Sequence, residues 1–131
     1  MKVGLNATCF NNRPSGAKQR FIGIYSELIK RMPNTEFLIY EPLDCNFGSW
    51  FERETNVSYK TTPIPSQGQM KKFFAGLGYW KPTLEREGLD LFEGYNLPFF
   101  KAPNAKTIMT IHDVRGCHLE YSGLQKPFFK K

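Results

Sequence analysis

The sequence predicts an α/β domain of three layers, with helices packed on both faces of a mainly parallel sheet. Three observations predict it. Short β-branched or aromatic runs at Lys2–Asn6, Glu36–Tyr40 and Lys106–Asp113 alternate with longer segments of helical periodicity. The last of these runs, Lys-Thr-Ile-Met-Thr-Ile-His-Asp, stays largely apolar until it stops at two polar side chains, as expected of a buried parallel strand. The 131 residues, 40% hydrophobic and 23% charged, are enough for one domain with a sizeable core.

The first strand, Lys2–Asn6, enters a loop from Ala7 to Ser15 whose Asn11-Asn12-Arg13-Pro14-Ser15-Gly16 is a cluster of turn formers. A helix follows. Its apolar positions Phe21, Ile24, Tyr25, Leu28, Ile29 and Met32 step by three and four residues and place one stripe on the sheet. Ser15 is its N-cap, Lys30 and Arg31 suit its C-terminal dipole, and Pro33-Asn34 ends it. Glu36–Tyr40 is then the second strand, and Val57–Thr62 a third, ended by Pro63 and Pro65. Between them lies a long loop, Pro42 to Asn56.

From Gln69 to Glu87 the residues Met70, Phe73, Phe74, Leu77, Trp80 and Leu84 keep helical spacing. Gly76, Gly78 and Pro82 argue for two short helices broken near Tyr79–Lys81. Leu89–Phe92 is the fourth strand, Glu93–Ala105 a loop, and Lys106–Asp113 the fifth strand. Val114–Leu124 lacks periodicity, and a helix begins within Gln125–Lys131. The order β-α-β-β-α-β-β, with no repeat or linker, fits a Rossmann-like sheet in which the first, fourth and fifth strands are neighbours. Polar strand ends then gather at one edge.

A formal charge of +6 favours an anionic partner such as phosphate, nucleotide or anionic lipid. Nucleic acid lacks a motif, since neither an aromatic-basic ribonucleoprotein signature nor a basic recognition helix is present. Cys9, Cys45 and Cys117 are widely spaced and suggest neither a disulfide framework nor a zinc ribbon, which fits a reducing cytosol. No run of 18 apolar residues and no signal-like segment occurs, so the expected location is cytoplasmic, with at most peripheral contact at the inner membrane surface. Lys71-Lys72-Phe73-Phe74, Phe99-Phe100-Lys101 and Phe128-Phe129-Lys130-Lys131 either attach to anionic lipid or pack their rings inward with lysines in water. For Phe73 and Phe74 the helical stripe favours packing.

Gly16 stands at a helix N-terminus after a strand, where free N–H groups suit a phosphate, with Arg13, Lys18 and Arg20 adding charge; otherwise it serves only the turn. The remaining glycines of a dinucleotide fingerprint are missing, although Glu41 ends the second strand where a ribose-binding acid would sit. His112 suits proton transfer or a hydrogen bond to a sugar hydroxyl with Asp113 orienting it, or the pair ends a strand and begins a turn. As metal ligands His112, Asp113, Cys117 and His118 match no standard spacing.

Three stretches together resemble the N-terminal domain of a family-four glycosyltransferase of the GT-B fold. They are Pro14-Ser15-Gly16-Ala17 leading into Arg20-Phe21-Ile22-Gly23-Ile24-Tyr25-Ser26-Glu27-Leu28, Asp90-Leu91-Phe92-Glu93-Gly94-Tyr95-Asn96-Leu97-Pro98, and Thr110-Ile111-His112-Asp113-Val114. The resemblance implies sugar transfer from a nucleotide-sugar to a glycan or lipid-linked acceptor, with retention of configuration and no metal or other cofactor. It implies that Gly16 and Ala17 lie by the donor diphosphate, His112 by the transferred sugar with Asp113 as partner, and Arg13, Lys18, Tyr95 and Asn96 on the acceptor side. The pattern departs at Ala17, where a second glycine is common, and at Glu93-Gly94, where His-Gly is often seen. Residues 1–131 end before the donor-binding second domain of such enzymes, so the expectation is an incomplete half, inactive alone.

Overall fold

The computed structural model describes residues 1–51, 53–95 and 100–111. Five strands, β1 (Lys2–Asn6), β2 (Glu36–Glu41), β3 (Val57–Thr61), β4 (Leu91–Tyr95) and β5 (Lys106–Thr110), form one sheet in the order β3-β2-β1-β4-β5. All four pairings are parallel. Helix α1 (Gly16–Arg31) joins β1 to β2, and α2 (Gln69–Arg86) carries the chain from β3 across to β4. A 3₁₀ turn, Gly48–Phe51, interrupts the loop after β2.

Alternation along the strands sorts the core into two layers. Val3, Leu5, Phe37, Ile39 and Tyr95 pack with Phe21, Tyr25 and Ile29 of α1, while Leu38, Tyr40 and Phe92 pack with Trp80 and Leu84 of α2. This is the expected three-layer, Rossmann-like arrangement. Gly4 faces the α2-side layer at close range, since a Cβ there would stand 2.6 Å from Leu89 Cδ1 and 3.2 Å from the Phe92 and Tyr40 rings. A side chain at that position of the central strand would require Leu89 to move.

Helix α1 follows its sequence signals. The Ser15 hydroxyl accepts from Lys18 N at 3.1 Å, and at the other end Asn56 Nδ2 donates to the carbonyls of Ile29, Met32 and Thr35. Its buried stripe is narrower than the spacing implies, with Ile24 and Leu28 left exposed.

Four expectations need correction. Gln69–Arg86 is one helix, not two: the exposed Pro82 sits inside it without ending it, and the burial of one stripe, Gly76, Trp80, Thr83 and Leu84, offsets the lost hydrogen bond and the ring's crowding of the preceding turn. The fourth strand starts later and runs to Tyr95. Gly88, at φ +62°, ends the turn after α2, and Leu89 plugs the core before Asp90 N reaches Lys2 O. Glu93, Gly94 and Tyr95 are therefore strand rather than loop. The fifth strand ends at Thr110 and is not buried: it pairs only with β4 among the described residues, and Ile108 and Ile111 are about half exposed. Last, Phe73 and Phe74 do not pack inward; with Met70 and Leu77 they form an exposed face on the first half of α2.

Candidate functional site at the C-terminal edge of the sheet

The strand order makes one place special. From β1 the chain winds outward through β2 to β3 and then crosses by α2 to β4 on the other side of β1. Connections leaving β1 and β4 thus diverge, and a crevice opens beyond their C-terminal ends. A small, open-mouthed cleft occupies that position, with a cavity volume of ≈ 20 Å³. That is room for about one water-sized group, far below the roughly 300–1,000 Å³ of small-molecule pockets, so at most one polar atom of a ligand enters it.

Its apolar wall is Ile64, Trp80 and Phe100; its polar wall is Asn6, Thr8, Cys9, Lys72 and Tyr95. Asn6 is the last residue of β1 and nearly buried, and its Oδ1 accepts from Thr8 N at 3.1 Å and Thr8 Oγ1 at 2.7 Å. A backbone N–H can only donate, so these bonds fix which end of the amide is oxygen. The Asn6 Nδ2 group makes no hydrogen bond among the described residues. It is a donor held in one orientation.

Lys72, in the first turn of α2, brings its half-buried ammonium to the same cleft. Burial pulls its pKa below the usual lysine value, only partly offset by the Cys9 thiol and the Asp44 carboxylate. It has no ion pair within 4 Å among the described residues, whose salt bridges involve only Lys2, Lys60 and Arg31. Asp44 is engaged elsewhere, accepting from Ser66 N at 2.7 Å and Ser66 Oγ at 2.9 Å.

Tyr95 closes the β4 end of the cleft. Its ring lies 5.0 Å from Phe10 and 5.5 Å from Phe21, and burial raises its hydroxyl pKa against the opposing effect of the Arg20 guanidinium beside it. Two residues back, Glu93 accepts from Thr110 Oγ1 at 2.7 Å, which ties β4 to β5 at the same edge. Burial raises the Glu93 pKa, with Thr110 and Arg20 opposing.

The residues expected from sequence meet different fates. Gly16 is the first residue of α1, with nothing within 4 Å of a Cβ built on it, and Ala17 is half-buried against the core. Ser15 caps Lys18 N, so the N–H groups of Gly16 and Ala17 keep no partner among the described residues. Both are at the same edge of the sheet as the cleft without lining it. Lys18 serves the scaffold: its ammonium donates to Asn11 O at 3.0 Å and stands 5.4 Å from the Trp50 ring centroid. Arg13 is exposed, and Glu41 is turned inward to accept from Phe47 N, which removes it as a ribose ligand. His112, Asp113 and Asn96 lie outside the described residues, as do Cys117 and His118.

Sequence reading missed Asn6, Thr8 and Lys72 as site residues. Asn6 had the same signal as His112, a polar side chain closing an apolar strand, whereas Lys72 was hidden in a Phe-Lys cluster. No family model matches the chain, and neither the curated proteins nor the solved structures compared with it give a match. No helix among the described residues is long and apolar enough to cross a membrane.

Proposed function

We propose that residues 1–131 form the acceptor-side, Rossmann-like domain of a retaining nucleotide-sugar glycosyltransferase. The observation that carries the reading is the donor-lined cleft beyond β1 and β4, with the open N-terminus of α1 on the same edge. The three stretches that resemble the GT-B N-terminal domain converge on that edge: the start of α1, the end of β4 and the end of β5. In this reading Gly16 and Ala17 approach the donor diphosphate, and Tyr95 and Asn96 face the acceptor. His112, oriented by Asp113, lies by the transferred sugar; no metal is required.

These residues supply one wall of such an active site. The reaction needs an opposing domain to bind the nucleotide and neutralise the departing diphosphate, and each well-placed electrostatic contact is worth roughly 10²-fold or more in rate. Residues 1–131 alone are therefore expected to bind a nucleotide-sugar weakly and to transfer nothing. Saturation-transfer NMR with a panel of nucleotide-sugars tests this. Weak donor signals that fade in Gly16→Val support the reading, absence of binding by every donor argues against it, and robust transfer would overturn the half-enzyme part.

A second reading is favoured by the exposed face of α2, where Met70, Phe73, Phe74 and Leu77 are 57%, 41%, 64% and 54% exposed beside Lys71. We propose it as a weak contact for anionic lipid, with apolar rings inserting and lysines near the surface contributing about 1 kcal/mol each. Liposome sedimentation would show binding to anionic vesicles that salt reverses and Phe74→Asp weakens. Equal binding to neutral vesicles would refute it.

A further inference from the structure

The polar wall of the β1/β4 cleft is unbalanced toward donors. Asn6 Nδ2 offers two N–H groups and Lys72 three, and none has a partner among the described residues. The Thr8 hydroxyl has already given its proton to Asn6 Oδ1 and can only accept. Nothing among the described residues satisfies these groups. A half-buried ammonium without a counter-ion is costly, and an amide nitrogen at a strand end is ordinarily satisfied by backbone or water.

From this geometry we infer that the cleft binds a small oxyanion, a phosphomonoester or carboxylate, between the Lys72 ammonium and the Asn6 Nδ2 group. With ≈ 20 Å³ the cleft admits one oxygen of the ligand's charged end between these donors, and the rest of the oxyanion lies in the open mouth. Ile64, Trp80 and Phe100 form the facing apolar wall, which lowers the local dielectric and strengthens the charge-assisted bonds. Under the glycosyltransferase reading the ligand is an acceptor that carries its own anionic group. The oxyanion site itself does not depend on that reading.

Calorimetric titration of the 131-residue chain with inorganic phosphate, glycerol 1-phosphate and acetate tests the inference without any activity assay. Binding in the millimolar range is expected. A preference for glycerol 1-phosphate identifies the phosphomonoester, and a preference for acetate the carboxylate. Lys72→Met should weaken binding about tenfold or more, the usual loss for a hydrogen bond to a charged group, while Lys72→Arg retains most of it. Asn6→Asp, which keeps the oxygen that holds Thr8 but replaces the donor by a second negative oxygen, should abolish it. Lys81→Met, at an exposed position farther along α2, should leave it intact; amide spectra check that every variant folds. Undiminished binding by Lys72→Met and Asn6→Asp, equal loss in Lys81→Met, or no binding of any of the three anions by the parent would overturn the inference. Oxyanion binding without response to any nucleotide-sugar would leave it standing and count only against the glycosyltransferase reading.

Discussion

The two edges of the sheet treat charge in opposite ways. Around the N-terminal edge, Lys2 lies 3.6 Å from Glu87 and 3.8 Å from Glu36, and Lys2 N donates to Asp90 Oδ2 at 2.7 Å, while Lys60, in register with Tyr40 farther along the sheet, reaches back to pair with Glu87. Burial would raise the Glu87 pKa, but the hydrogen bond and charge of Lys60 and the charge of Lys2 hold it below the usual range. At the C-terminal edge, Lys72 and the Asn6 amide nitrogen are half-buried or buried and unmatched among the described residues. Charge that folding uses is paired within the chain, whereas charge left unpaired in a cleft is available to a ligand. Removing one of each kind should therefore have opposite consequences.

The largest expected effect sets the scale. Trp80 is 1% exposed, floors the cleft and packs edge-on against Tyr40 at 5.1 Å, so Trp80→Ala should cost about 3–5 kcal/mol in denaturant unfolding and abolish ligand binding with it. Next comes the N-terminal edge. Glu87→Gln removes the carboxylate between Lys2 and Lys60, and because those lysines are partly solvated the loss should be about 0.2–1 kcal/mol at neutral pH. The sign with pH is set by the depressed folded pKa. The Glu87 contribution is complete above the unfolded value of 4.5 and disappears as pH falls through the lower folded value. The acid limb of the stability curve should be shallower in Glu87→Gln than in the parent.

At the opposite edge Lys72→Met should change stability by no more than about 0.5 kcal/mol, or raise it slightly, because a desolvated cation without a partner contributes nothing to folding. A loss as large as that of Glu87→Gln would erase the contrast between the edges. A modest effect of the opposite sign is expected at Gly16, whose Cβ position is open and whose φ is ordinary for a helix start. Gly16→Ala should stabilise the fold by about 0.4–1 kcal/mol through the unfolded chain while weakening nucleoside diphosphate binding. Thermal unfolding and titration on the same sample separate the two.

Much of the fold could be read from spacing. The Ser15 cap, the stripe Phe21-Tyr25-Ile29 and the sheet order follow from short-range patterns, because cap and periodicity are local physics. The errors fell where tertiary context overrides local preference. Pro82 is tolerated on the solvent side of α2, which the sequence alone does not reveal, and β4 begins at Leu91 because Leu89 is drawn into the core below it. The exposed Phe73 and Phe74 keep helical spacing with Trp80 yet lie on another face, since a stripe defined by many aromatic positions is too broad to choose a side. For the site, the edge was legible but its residues were not. Asn6 and Lys72 are 66 positions apart in sequence and meet only because α2 crosses over β1 to reach β4.

The most direct test of the ligand-binding edge is backbone amide shift mapping of the 131-residue chain during titration with a nucleoside diphosphate. The account predicts perturbations confined to the C-terminal edge, at Asn6 to Cys9, Gly16 and Ala17, the residues around Lys72, and Tyr95. Perturbations centred on Lys2, Glu36, Glu87 and Asp90, or none at saturating ligand, would contradict it.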